Sequence, residues 1–198
     1  DNLKQVELPA DARVYLQRAE EGLTRLSTIF TRMSEATRLE QSLGTVERER
    51  FDLAEVVAGC VEGYRLAHPG RVFAFEAGAS PFPVTGAPDL IAQMLDKLAD
   101  NAVEFSTPGS AIRFELQHAA PGLRLSVSNE GPPLPADMQG RLFESMVSVR
   151  DRPSQGEPHL GLGLYIVRIV AEFHGGRASA RNRDDGSGVE IAIEFPLV

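Results

Sequence analysis

The sequence is short of three things: cysteine, long apolar runs and excess positive charge. Its 198 residues contain 1 cysteine and no tryptophan. The lone Cys60 closes no intrachain disulfide and builds no cysteine-based zinc site, which excludes a disulfide scaffold and fits a reducing compartment. No stretch approaches the ~18 apolar residues that span a bilayer, and Asp1-Asn2-Leu3-Lys4 carries no signal-peptide pattern. The expectation is a soluble, cytoplasmic chain. A formal net charge of -8 disfavours a broad phosphate-binding surface for nucleic acid, while leaving room for a local anion site. What is present is ordinary for a globular protein: 42% apolar and 24% charged residues, which exclude general disorder. At roughly 150 residues per domain, the length allows one domain and a remainder.

Leu16, Ala19, Leu23, Leu26, Phe30 and Met33 recur at spacings of 3, 4, 3, 4 and 3. This heptad seam predicts a long helix over about residues 12–45 that packs along another helix in a bundle. An ordinary amphipathic helix on one globular core is the plainer alternative. Pro9 breaks any helix running through from residue 1, so residues 1–6 read as the end of an earlier element. Asp52 is placed to N-cap a helix carrying Leu53, Val56, Val57 and Val61. Val72 to Phe75 reads as a strand, and Pro88 and Asp89 open a helix to about Phe105. Ile112 to Gln117, Leu123 to Ser128 and Val189 to Phe195 alternate apolar and polar residues. The pattern predicts a mixed, mostly antiparallel sheet with helices on one face, an α/β two-layer sandwich preceded by a long α-helix. The polar stretch 145–159 is long for a structural loop and suits a lid.

Three segments carry chemistry. On the helix ending at Phe105, Ile91, Leu95, Leu98, Ala102 and Phe105 form a buried stripe, which leaves Lys97, Asn101 and Glu104 on another face. A carboxamide there offers magnesium an oxygen, although an Asn on a helix is far more often a solvated residue. Asn129-Glu130-Gly131-Pro132-Pro133 follows a strand, and Gly131 lets a flat ligand approach the backbone, or simply makes a turn. In His159-Leu160-Gly161-Leu162-Gly163-Leu164, glycines near a helix start present N–H groups to an anion. Neither the Walker nor the Rossmann glycine pattern is matched.

The order of these segments resembles a family. Asn101, the turn at 129–133, Phe143, the Gly-Leu-Gly-Leu at 161–164 and Gly186-Ser187-Gly188 are similar to the N, G1, F, G2 and G3 boxes of sensor histidine kinases. These share a Bergerat-type ATP-binding fold with gyrase, Hsp90 and MutL. The resemblance covers about residues 51–198, implying a catalytic ATP-binding domain there. Residues 1–50 resemble part of the dimerisation hairpin, with its second helix at about 12–45. Leu95 to Leu98, Ser145 to Ser148 and His159 to Leu162 resemble the subgroup associated with a dedicated sortase system. The resemblance implies ATP and magnesium as cofactors. Asn101 would hold the metal, Asn129 and Gly131 would meet adenine, and Gly161, Leu162, Gly163 and Leu164 would receive the phosphates. Phe143 would pack under the lid, and Gly188 belongs to the last glycine turn.

Departures matter as well. Asn129 stands where the family usually has Asp, Pro133 and His159 replace glycines, and Glu104 and Phe105 replace a cation and a Tyr. Lys97 or Arg150 is then the cation available to the phosphates. Lys97 also stands where the gyrase branch carries its water-activating Glu, which disfavours a clamp ATPase; a degenerate nucleotide-binding or dimerising module is the other alternative. The four histidines, His68, His118, His159 and His174, all fall outside the helical region before residue 50 and read as loop or cap residues. The phosphoacceptor histidine is therefore expected outside this chain. The resemblance further implies a homodimer through the hairpin, a cognate response regulator, no nucleic acid, and a bacterial inner-membrane parent anchored only by upstream segments.

Overall fold

A computed structural model of the protein describes residues 10–135, 138, 141–144 and 162–197. Helix α1 (Ala10–Ser42) leads through a 3-10 turn at Leu43–Thr45 into strand β1 (Glu49–Asp52). Then follow α2 (Leu53–Ala67), β2 (Val72–Ala77), β3 (Pro83–Gly86), α3 (Pro88–Phe105), β4 (Ala111–Ala119) and β5 (Gly122–Glu130). Helix α4 (Gly163–Phe173), β6 (Arg177–Asn182) and β7 (Gly188–Pro196) complete the order.

Local chemistry accounts for most boundaries. The Asp52 carboxylate accepts from the Ala54 N–H at 2.9 Å and so caps α2, and the burial of Leu53, Val57 and Val61 fixes which face turns inward. Pro88 sits in the first turn of α3, where its missing N–H costs nothing, with Asp89 against the positive end of the dipole. The far end of α3 is closed by Arg71, whose guanidinium donates to the Ser106 Oγ at 3.0 Å and the Val103 carbonyl at 3.1 Å.

Five strands form one sheet in the order β2-β4-β5-β7-β6. Only β2 and β4 run parallel; the other neighbours are antiparallel. Register aligns Phe114 with Val127 and Val127 with Ile191, and one rung on Leu116 with Leu125 and Leu125 with Ile193. These buried rows face α2, α3 and α4, so the helices cover one side, as the alternation predicts. The opposite face carries ion pairs: Glu190 with Arg124 and Arg181, and Glu194 with Arg177 at 2.7 Å. That face is drier than expected, because Ser126 and Ser128 are short side chains on the central strand and are themselves buried.

Two features have no strong trace in the sequence. β1 pairs with β3 as a separate antiparallel ribbon, Glu49 opposite Gly86 and Asp52 opposite Pro83. β6, Arg-Ala-Ser-Ala-Arg-Asn, lacks any large apolar residue, and as an edge strand it needs none. The seam of α1 divides in two. Leu23, Leu26 and Phe30 are 62–75% exposed, whereas Ala36 and Leu39 are buried in the same core as the sheet. The docked end is fixed by the Tyr165 hydroxyl, which donates to Glu40, and by Arg48, which donates to the Phe173 carbonyl at 2.8 Å and lies over its ring.

Candidate functional site

Helix α3 packs against both α4 and β5, the elements that carry the described parts of the other two segments singled out in the sequence. Asn101 and Lys97 lie one turn apart on α3, both half-buried, and neither makes a hydrogen bond or ion pair among the described residues. A half-buried amide and ammonium without internal partners are groups the fold itself does not use. Glu104, a further turn along, is half-buried and engaged with other groups.

Asn129 is the second-last residue of β5 and the best-buried asparagine among the described residues, 6% exposed. Its Nδ2 donates to the Glu130 carbonyl at 3.3 Å, and its Oδ1 has no partner among the described residues. The turn beyond is held from both sides: Gly131 N–H donates to the Ser187 carbonyl at 2.9 Å, and Thr107 N–H to the Glu130 carbonyl at 2.8 Å. Gly131 therefore has a packing reason that differs from close approach by a ligand: a Cβ there would lie 2.2 Å from the Phe105 carbonyl oxygen. Gly188 is the same case, with 2.0 Å to the Asn129 carbonyl oxygen.

Gly163 is different. A Cβ at Gly163 would meet nothing within 4 Å, and it opens α4 with no side-chain cap. The helix ladder begins with Ile166 N–H donating to the Leu162 carbonyl at 3.0 Å, and the N–H groups of Gly163, Leu164 and Tyr165 find no acceptor among the described residues. Leu162 and Leu164 send their side chains into the core, so this corner offers backbone. Phe143 is buried in the main core. Gly161, His159, Arg150 and the stretch 145–159 lie outside the described residues.

Four positioning residues escaped the sequence reading. Asn182 holds the segment after the turn, accepting from Leu134 N–H at 2.7 Å and donating to the Leu134 carbonyl at 3.0 Å. Asp185 accepts from the Ser187 N–H and Oγ, which keeps its carboxyl down at about 2 and orients the carbonyl that holds Gly131. Arg71 closes α3. His174, expected to be a plain cap, is buried: its Nδ1–H donates to the Val170 carbonyl at 2.7 Å and its Nε2 accepts from Ala87 N–H at 3.1 Å. Burial lowers its pKa and keeps the ring neutral. Only Asp185-Gly186-Ser187, a turn tripeptide with Gly186 at φ +68, gave a usable signal. The other three act across long sequence separations.

Residues 86–198 match the family described as histidine kinase-, DNA gyrase B-, and HSP90-like ATPase. Sensor histidine kinase GtrS of Pseudomonas aeruginosa is 32% identical over 148 residues, covering 75% of this chain and 29% of that protein. The catalytic domain of histidine kinase ThkA superposes with a TM-score of 0.66 at 27% identity, over 76% of this chain and 96% of that one. ThkA in complex with the response regulator TrrA gives 0.68 at 25% identity over 98% of this chain and 54% of that one. The chain spans only about a third of the length of the curated relatives it matches. No described helix is long and apolar enough to cross a membrane. On the family match and the shared fold, the chain belongs to the histidine kinase-, gyrase B- and Hsp90-like ATPases and carries the ATP-binding catalytic domain of the histidine kinase type.

Proposed function

We propose that the chain binds ATP with magnesium and supports transfer of the terminal phosphoryl group to a histidine other than its own four. The observation that carries this reading is the set of polar groups left without partners among the described residues on α3 and on the two elements packed against it: the Asn101 carboxamide, the Asn129 Oδ1 and the first N–H groups of α4. Together they fit an anionic nucleotide. Asn101 supplies a hard oxygen for a cation that keeps most of its shell for phosphate and water. The start of α4 supplies donors and the positive end of a helix dipole, with room left by Gly163. Lys97 adds a cation one turn before Asn101. Magnesium, when bound, neutralises charge on the phosphates; the chain's own contribution is positioning and fixed dipoles.

Residues 1–50 are read as hairpin and residues 51–198 as catalytic domain. The exposed Leu23, Leu26 and Phe30 support a homodimer through that hairpin. A response regulator as acceptor of the phosphoryl group rests on the likeness to ThkA, whose complex with TrrA shows that pairing for ThkA. The sensor-kinase relatives, most of them bacterial, support a cytoplasmic catalytic domain in a bacterial cell.

Calorimetry tests the reading. Wild-type protein is expected to bind ATP in a magnesium-dependent way, and Asn101→Ala to lose at least about tenfold in affinity, on the order of one to two strong polar contacts, while melting like wild type. Unchanged affinity removes Asn101 from the site. With radiolabelled ATP, the chain alone is expected to acquire no acid-labile, alkali-stable label; strong labelling refutes the external acceptor.

A further inference from the structure

The group at the end of β5 is a carboxamide, and it is loosely held. Asn129 is 6% exposed, yet its side chain's only hydrogen bond among the described residues is the 3.3 Å contact from Nδ2 to the neighbouring Glu130 carbonyl. Its Oδ1 accepts nothing from the protein among those residues. The Nδ2 also lies 3.3 Å from where a Cβ would stand on Gly131, so the amide runs along the turn with no second side chain clamping it.

Donor and acceptor pattern decides what such a group reads. Adenine offers an exocyclic amine donor at its six-position beside an unprotonated ring nitrogen, whereas hypoxanthine and guanine offer a carbonyl acceptor beside a ring N–H. An ionised carboxylate only accepts, so it pairs with the amine and is repelled by the carbonyl. A carboxamide accepts on one side and donates on the other, and a half-turn of its terminal torsion exchanges the two. With Nδ2 held by the Glu130 carbonyl, Oδ1 is the atom left to meet an amine. Turning it over exchanges one long, neutral hydrogen bond for an oxygen–oxygen contact with the Glu130 carbonyl, which keeps its bond from Thr107 N–H, and leaves no buried charge behind.

We propose that Asn129 makes this a purine-tolerant site: the base edge at the six-position is read by a reversible amide, and nucleotides with a six-carbonyl are accepted alongside ATP. The inference rests on the reading above, that a purine nucleoside triphosphate binds with its base at Asn129. A net neutral hydrogen bond is worth about tenfold in affinity or less, which sets the expected ceiling on discrimination.

The test measures ATP, ITP and GTP binding in the presence of magnesium, by calorimetry on the whole chain and on Asn129→Asp. ITP is the decisive probe, because it differs from ATP only at the six-position edge and lacks the two-amino group of GTP. ITP binding to the wild type within about tenfold of ATP supports the proposal; a larger gap overturns it, and this wild-type ratio decides the matter even where Asn129→Asp fails to fold. In folded Asn129→Asp the ATP preference over ITP is expected to widen by about tenfold or more through loss of ITP binding, since a desolvated carboxylate facing a carbonyl leaves both unpaired. An unchanged ratio with ATP still bound overturns the proposal. Absence of ATP binding to the wild type overturns the nucleotide reading itself, a result distinct from tight ATP binding with ITP rejected.

Discussion

The two ends of α4 are opposites. At its C-terminal end every group is engaged: His174 N–H reaches the Val170 and Ala171 carbonyls, Gly175 N–H the Glu172 carbonyl and Gly176 N–H the Ala171 carbonyl, while Arg48 takes the Phe173 carbonyl. The His174 ring adds two further bonds, one of them to the start of α3. At the N-terminal end the N–H groups of Gly163, Leu164 and Tyr165 meet no acceptor and no capping side chain among the described residues, and a Cβ on Gly163 would meet nothing within 4 Å. One end is closed by the protein, and the other keeps its donors unpaired among the described residues. A helix whose free donors were a folding defect would have no reason to be so thoroughly finished at its other terminus.

Substitutions at the two ends sharpen this contrast. The largest effect is expected at Gly176→Ala, because the new Cβ would lie 2.1 Å from the Glu194 carbonyl oxygen, a backbone atom of the core strand β7. Overpacking against backbone should cost ~3 kcal/mol and lower the melting midpoint by roughly 6–12 °C for a chain of this size. Wild-type melting would show the C-terminal end to be looser than described.

His174 gives an intermediate effect, with a definite sign. Its folded pKa is lowered from 6.5 by burial, so the unfolded chain takes up a proton first as the pH drops. Its contribution to stability is fully present above about pH 6.5 and is lost as the pH falls through the lowered value. Denaturant midpoints measured between pH 7.5 and 5 should fall with acidification, and part of that slope should vanish in His174→Gln. Equal slopes in the two proteins would take His174 out of the pH response.

The smallest change in stability belongs to Gly163→Ala. With nothing within 4 Å of the added methyl, stability should stay within ~1 kcal/mol of wild type, on the favourable side from helix propensity. Magnesium-ATP affinity should nevertheless fall, because the methyl enters the space beside the free N–H groups. A variant that binds as tightly as wild type would mean that the start of α4 is empty for some other reason.

Much of the fold was legible because it is written in periodicity. The α3 boundaries, the Asp52 cap and the alternating strands β4, β5 and β7 follow from local rules. β1, β3 and β6 were not legible, since short edge pairings of Glu-Arg-Phe-Asp, Pro-Val-Thr-Gly and Arg-Ala-Ser-Ala-Arg-Asn depend on what lies alongside and carry no pattern of their own. The site was legible as a set of residue types in order, but the reason for each was not. Gly131 and Gly163 look alike in sequence; one is required by the Phe105 carbonyl and the other touches nothing. Asn182 and His174 gain meaning only from partners 48 and 87 residues away, a separation that no local window reports.

Helix α1 has one more consequence. Leu26, Met33 and Glu40 are successive heptad positions, so they lie along one line of the helix within about 20° per step. The line is apolar at Leu26 and Met33 and acidic where the Tyr165 hydroxyl meets it. A neighbouring helix laid along the seam therefore has a stop built into its track. From Val14 to Met33 it finds roughly 30 Å of greasy rail, and the next turn already belongs to α4.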